Sequence, residues 1–183
     1  MASNYIQDHN RLFGDLTAAL SRDLARLSSE ANGGRSILFV YPPEDEEKYI
    51  EEAKKRYTDG YEFIDLRELF TEFVDSKGFD KFKRQFKNMG TEVFVSQNYS
   101  EGTFYSHLMK RVVEVSSKGV SPVLVHTGVI YKMGFSNQNI MEDPHVMKFQ
   151  KPLVFFYPAT LKNDTIYFLD KQPASKYRCV VVI

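Results

Sequence analysis

Residues Ile37-Leu38-Phe39-Val40-Tyr41 are an unbroken apolar run, closed by Pro42-Pro43. Successive strand side chains point to opposite faces, so a strand with no polar member must be covered on both. That is the position of a central strand in a parallel sheet with helices above and below.

The chain downstream fits this frame. Glu44 to Tyr57 reads as a helix with an acidic first turn, which favours the positive end of its dipole. Asp59-Gly60 turns the chain into a second strand, Tyr61 to Asp65. Residues 67–90 read as two helices split near Gly78, and the second places Phe79, Phe82 and Phe86 on one face. Tyr99 to Thr103 reads as loop. A long helix then runs from about Thr103 to Ser117, with Phe104, Leu108, Val112 and Val115 inward and Gly119 ending it. Pro122 to Tyr131 is the third core strand and its exit, and Leu153 to Tyr157 is the fourth. Thr165 to Leu169 and Arg178 to Ile183 complete the set, with the last strands close enough in sequence to be antiparallel neighbours. Ahead of the sheet, residues 5–30 read as one helix with Leu12, Phe13, Leu16, Leu20, Leu24 and Leu27 on one face. Asn32-Gly33-Gly34 ends it.

Strand–helix alternation predicts a three-layer α/β fold, a mainly parallel sheet with helices on both faces. No repeat or linker-like stretch divides the 183 residues. The expectation is a single domain over 1–183, with an N-terminal amphipathic helix in 1–31 and a core in 36–183.

Charge narrows the function. The 24 basic and 24 acidic side chains cancel, so no global field draws the chain to nucleic acid or anionic lipid. The single cysteine, Cys179, lies among valines and reads as a buried thiol. One cysteine offers neither an internal disulfide nor a thiolate metal cage, which fits a reducing compartment. No apolar run approaches the roughly 20 residues that span a bilayer. A cytoplasmic protein without a membrane partner is expected.

No complete catalytic motif appears. The loop after the first strand, Tyr41-Pro42-Pro43-Glu44-Asp45-Glu46, occupies the place of a phosphate-binding loop. Its prolines lack N–H donors and its carboxylates repel phosphate. His9, His107, His126 and His145 show no metal-ligand spacing, and no cofactor or metal is expected. His126 is the best placed of the four. It follows Val123-Leu124-Val125, at the carboxyl end of a core strand, outside which open parallel sheets bind ligands. There it could act as a general base; a hydrogen-bonded strand-end histidine is the plainer reading. Lys81, Lys83, Arg84 and Lys87, with Lys77, accompany the phenylalanine stripe, a combination that can hold single-stranded nucleic acid. Core phenylalanines with solvated lysines is the plainer reading here too, and direct nucleic-acid binding is not expected. Tyr41-Pro42-Pro43, Phe155-Phe156-Tyr157-Pro158 and Tyr177-Arg178 could form an aromatic and proline rim for a protein partner, or be core aromatics and strand terminators.

Several of these segments recur in a known order. Pro122-Val-Leu-Val-His-Thr-Gly-Val-Ile-Tyr131 is followed by a polar, helix-like segment and by Pro152-Leu-Val-Phe-Phe-Tyr-Pro158. Thr165-Ile-Tyr-Phe-Leu169 and Tyr177-Arg178 come next, while Phe39-Val40-Tyr41-Pro42-Pro43 and Ile64-Asp65-Leu66 add weaker matches upstream. The pattern resembles the BrxB-like family of BREX bacteriophage-exclusion systems, from about residue 10 onward. It departs at Lys132, where many members have a proline after the tyrosine. The resemblance implies a fold like a degenerate P-loop NTPase core without its phosphate-binding loop. It also implies a non-catalytic adaptor that binds other BREX proteins. The alkaline-phosphatase-like PglZ would be the first contact, with the BrxC ATPase or the PglX methyltransferase as others. Tyr41, Pro42, Pro43, His126, Tyr131, Phe156, Tyr157, Pro158, Tyr177 and Arg178 are the candidate partner-binding residues. The alternatives are a nucleotide-binding or hydrolytic module at His126 and a nucleic-acid contact over residues 77–87.

Overall fold

The computed structural model describes residues 2–95 and 102–183, with side chains from residue 8 onward. Most of the loop expected over 99–103 therefore lies outside the described residues. The elements run α1 (Ala2–Leu20), α2 (Leu24–Glu30), β1 (Ser36–Tyr41), α3 (Glu46–Arg56), β2 (Tyr61–Asp65), α4 (Leu66–Lys77) and α5 (Phe79–Met89). They continue with α6 (Phe104–Ser117), β3 (Ser121–Val125), α7 (Asn137–Met141), β4 (Leu153–Lys162), β5 (Thr165–Phe168), β6 (Gln172–Pro173) and β7 (Cys179–Val182).

Five strands pair in parallel in the order β2-β3-β4-β1-β7. The apolar run is indeed central. β1 lies between β4 and β7, with Ser36 opposite both Leu153 and Cys179, and every residue of it is buried. Its side chains divide by parity. Ile37, Phe39 and Tyr41 enter one core layer, and Leu38 and Val40 enter the other.

The first layer packs Leu12, Phe13, Leu16 and Ala19 of α1, Leu27 of α2, and Tyr49, Ile50 and Ala53 of α3 against the sheet. Phe39 touches Phe156 and Phe13, with ring centroids 4.8 and 5.4 Å apart. Burying such a side chain contributes about 1.5–3 kcal/mol. The second layer takes Leu66, Leu69 and Phe73 of α4, Phe104, Leu108, Val112 and Val115 of α6, and Ile140 and Met141 of α7. The three-layer α/β architecture is as expected.

Three expectations change. The N-terminal helix is two helices, because the Asp23 side chain accepts a hydrogen bond from the Arg26 N–H and starts a new one. β4 does not stop at Tyr157. Pro158 is its last residue paired with β1, and from Ala159 the strand pairs antiparallel with β5. A residue without an N–H thus stands where the strand changes partner. The last strand, β7, is a parallel neighbour of β1, so among the described residues antiparallel pairing joins β5 to the end of β4 and to β6.

One close approach needs glycine. Before β1 the backbone passes so near β7 that a Cβ on Gly34 would lie 2.0 Å from the Arg178 carbonyl oxygen. No helix among the described residues is long and apolar enough to cross a membrane.

Candidate functional site

Parallel strands bring their carboxyl ends to one edge, where β1 delivers Tyr41, β2 delivers Asp65 and β3 delivers His126. His126 has φ 52° and ψ 41°, the left-handed region. A non-glycine residue there costs roughly 1–2 kcal/mol and persists only where its surroundings hold it.

The holding groups are carboxylates. His126 is 4% exposed, its Nε2 lies 3.0 Å from Glu47 Oε1, and its Nδ1 lies 2.8 Å from Asp65 Oδ2. The second contact is close but too bent for a hydrogen bond. Arg67 closes the cluster. It reaches Asp65 through Nε at 3.3 Å and a terminal nitrogen at 3.1 Å, and Glu47 at 3.3 Å. Asp65 also caps α4, accepting from the Arg67 backbone N–H at 2.9 Å. One histidine therefore ties the exit of β3 to the starts of α3 and α4.

The electrostatics separate two neighbouring carboxyls. Burial pushes Asp65 up, but the hydrogen bonds from Arg67 and the charges of His126 and Arg67 outweigh it and hold Asp65 below the usual range. Burial pushes Glu46 up, and there it prevails over the hydrogen bond from Tyr41. That bond, Tyr41 hydroxyl to Glu46 Oε1, is 2.9 Å. Burial first, then Glu46, raises Tyr41 well above the ordinary tyrosine value.

Chemically the cluster is well provided with internal partners. A general base needs a ring nitrogen open toward a substrate, and here a carboxylate faces each one. The adjacent Thr127 hydroxyl donates to the Phe156 carbonyl at 2.6 Å, away from the imidazole. Where a phosphate would meet the first turn of α3, the chain presents Glu46 and Glu47. Among the described residues no group of three or more His, Cys, Asp or Glu is arranged to hold a metal ion. The sequence reading identified His126 but not Asp65, Glu47 or Arg67 as its partners. The available signal was Asp65 itself, a carboxylate between a strand and a helix cap.

The candidate rim does not assemble. Tyr41 and Phe156 are 1% and 0% exposed in the α3 layer, while Tyr157 is 2% exposed in the opposite layer. Tyr157 stacks on Phe168 at 4.5 Å, and its hydroxyl donates to Asn137 Oδ1 at 3.3 Å. Pro158 is buried, and Pro42, Pro43 and Tyr131 are half-buried. Tyr177 and Arg178 lie at the other end of the sheet, where Arg178 donates to the Asn32 carbonyl at 2.6 Å. Alternation along each strand and the direction of the strands keep these groups apart.

The basic cluster does assemble, but not on a helix with a buried apolar face. Phe79 is 66%, Phe86 46% and Met89 47% exposed, and α5 has no buried residue. Phe82 is half-buried against the core, edge-on to Phe70 and Phe73, and Phe86 reaches it only at the Phe94 ring, 5.5 Å away. Lys81, Lys83, Arg84 and Lys87 are exposed on the same helix and form no ion pair with any described carboxylate. Comparisons of the chain with known proteins return no matching family model, no matching curated protein and no matching solved structure.

Proposed function

We propose that the chain is a non-catalytic adaptor of a BREX-type anti-phage complex, joining other BREX proteins, with the alkaline-phosphatase-like PglZ as first contact. The reading rests on the sequence resemblance, and one structural observation supports the binding role: the exposed apolar face of α5. Phe79, Phe86 and Met89 present large hydrophobic side chains on one helix, a feature that marks interaction surfaces. Cations flank them, so the complementary surface is apolar with acidic margins. The occupied carboxyl edge around His126 fits the same reading.

The test is co-expression with PglZ, followed by capture and mass measurement of the complex. Capture of a defined complex that Phe79→Asp/Phe86→Asp abolishes, with the domain still folded, is the expected result. No complex between folded proteins, with PglZ, BrxC or PglX, overturns the adaptor reading.

A second reading draws on the cations of α5, which suit single-stranded nucleic acid beside exposed phenylalanines. It requires binding that weakens steeply with salt. Salt-insensitive or absent binding of an oligonucleotide removes it. Nucleotide binding lost in His126→Ala would move the assignment to the sheet edge instead.

A further inference from the structure

A cavity of about 610 Å3 opens between α4 and α6, closed at one end by the segment after α7. Its size is in the range that accepts small organic ligands. The walls are mainly apolar, with Phe73 from α4 and Met109 and Val113 from α6.

The charges on the lining do not balance. Lys77 enters from α4 and Lys110 from α6, and no carboxylate among the described residues forms an ion pair with either. The Lys77 ammonium lies 5.0 Å above the Phe73 ring, and burial together with the charge of Lys81 holds it below the ordinary lysine range. Asp143 is the carboxylate on the described lining, and it is engaged. It accepts from the Tyr105 hydroxyl at 3.1 Å and the His145 backbone N–H at 2.9 Å, and it lies 2.9 Å from His145 Nδ1.

A further polar atom is left over. His107 Nε2 is buried without a hydrogen-bond partner, and the ring packs near Phe73 at 5.8 Å. Burial, then the charge of Lys110, holds this imidazole low against the opposing pull of Glu72 on α4. A neutral imidazole offers one ring nitrogen as donor and the other as acceptor. An orphaned buried nitrogen is a cost that a ligand would relieve.

We propose that this cavity binds a small organic anion, a ring-bearing apolar body with one carboxylate or phosphate group. The acid group meets Lys77 and Lys110, the body lies on Phe73, Met109 and Val113, and a polar group on it pairs with His107 Nε2. The site is separate from the His126 cluster and from the exposed face of α5, so it stands whether or not the adaptor reading does.

The experiment titrates the isotope-labelled full chain with indole-3-propionate and, separately, with adenosine monophosphate, following backbone amide signals. Saturable shifts at Ser106, His107 and Lys110 with either probe are expected, and the arm that responds identifies the acid group. The Lys77→Met/Lys110→Met variant should weaken binding by roughly tenfold or more, the scale of one lost charge-assisted hydrogen bond. Lys110 is exposed, so Lys110→Met alone provides a variant whose fold is not at risk. His107→Phe should weaken binding less. No saturable shift with either probe at millimolar concentration overturns the proposal. So does unchanged affinity in the double lysine variant, or shifts confined to Phe79–Met89.

Discussion

Helices α3 and α5 are both 11 residues long, both with an acid in the first turn and a base in the last, yet one is buried along a face and the other is not. α3 buries Tyr49, Ile50 and Ala53 on the sheet, whereas α5 buries nothing completely. The difference lies in what surrounds them. α3 leaves β1 through a short turn and lands on an open sheet face. α5 is the second helix in the crossover from β2 to β3, on a face that α4 and α6 already cover. Periodicity reports that a helix has an apolar side, but not whether this chain supplies the surface that covers it.

Core truncation breaks the comparison most strongly. Ile50→Ala on α3 should cost about 2–5 kcal/mol, read from urea denaturation midpoints. Tyr157→Ala belongs to the same class, because that ring is core and not rim. An equal loss from Phe79→Ala would mean that α5 is as tightly packed as α3.

The His126 clamp comes next, since it pins the start of α3. His126→Ala should destabilise by about 1–3 kcal/mol through the carboxylate contacts it abandons. A shift toward alanine's behaviour elsewhere on the surface, within about 0.5 kcal/mol, would show the clamp to be passive. Its pH dependence has a definite sign. Asp65 is depressed from an ordinary value of 3.8, so its contribution is complete above about pH 4 and is lost as pH falls through the folded value.

On α5, Phe79→Ala should change stability by no more than about 0.5 kcal/mol while weakening partner capture. This separation of folding from binding is what the exposed face requires. Glu46→Gln should have the smallest effect. Glu46 is raised above its ordinary 4.5, so its ionisation opposes folding as pH rises past that value. Gln keeps an acceptor for the Tyr41 hydroxyl and removes the charge. A slight gain in midpoint at pH 7 that disappears near pH 4 is the expected pattern, and a loss at pH 7 would contradict it.

Much of the architecture was legible because it rests on local signals. The run from Ile37 to Tyr41, the glycine at 78 and the inward face of Phe104, Leu108, Val112 and Val115 each named an element and its orientation. The break at Asp23 was readable as a cap but was masked by leucines that kept helical spacing across it. Strand partners were less accessible. Nothing near Cys179 says that it pairs with Ser36 and not with β5. The site followed the same division. His126 could be placed at a strand end from its neighbours, but Asp65, Glu47 and Arg67 meet it only through the sheet order. The supposed rim failed because Phe156 and Tyr157, adjacent in sequence, face opposite layers.

The central place of β1 also sets a timetable for folding. Both of its neighbours are encoded far downstream, since Ser36 pairs with Leu153 and Cys179. As the chain leaves the ribosome, this apolar strand emerges before either neighbour and must wait for Leu153 and the residues after it before an edge is covered. Topologies dominated by such distant pairings fold slowly, and an unpaired strand is open to aggregation meanwhile. α1, α2 and α3 are the elements that can shelter one face of β1 during that interval. Because they precede β4 and β7 in the chain, they can cover that face before the strands that complete the layer are made.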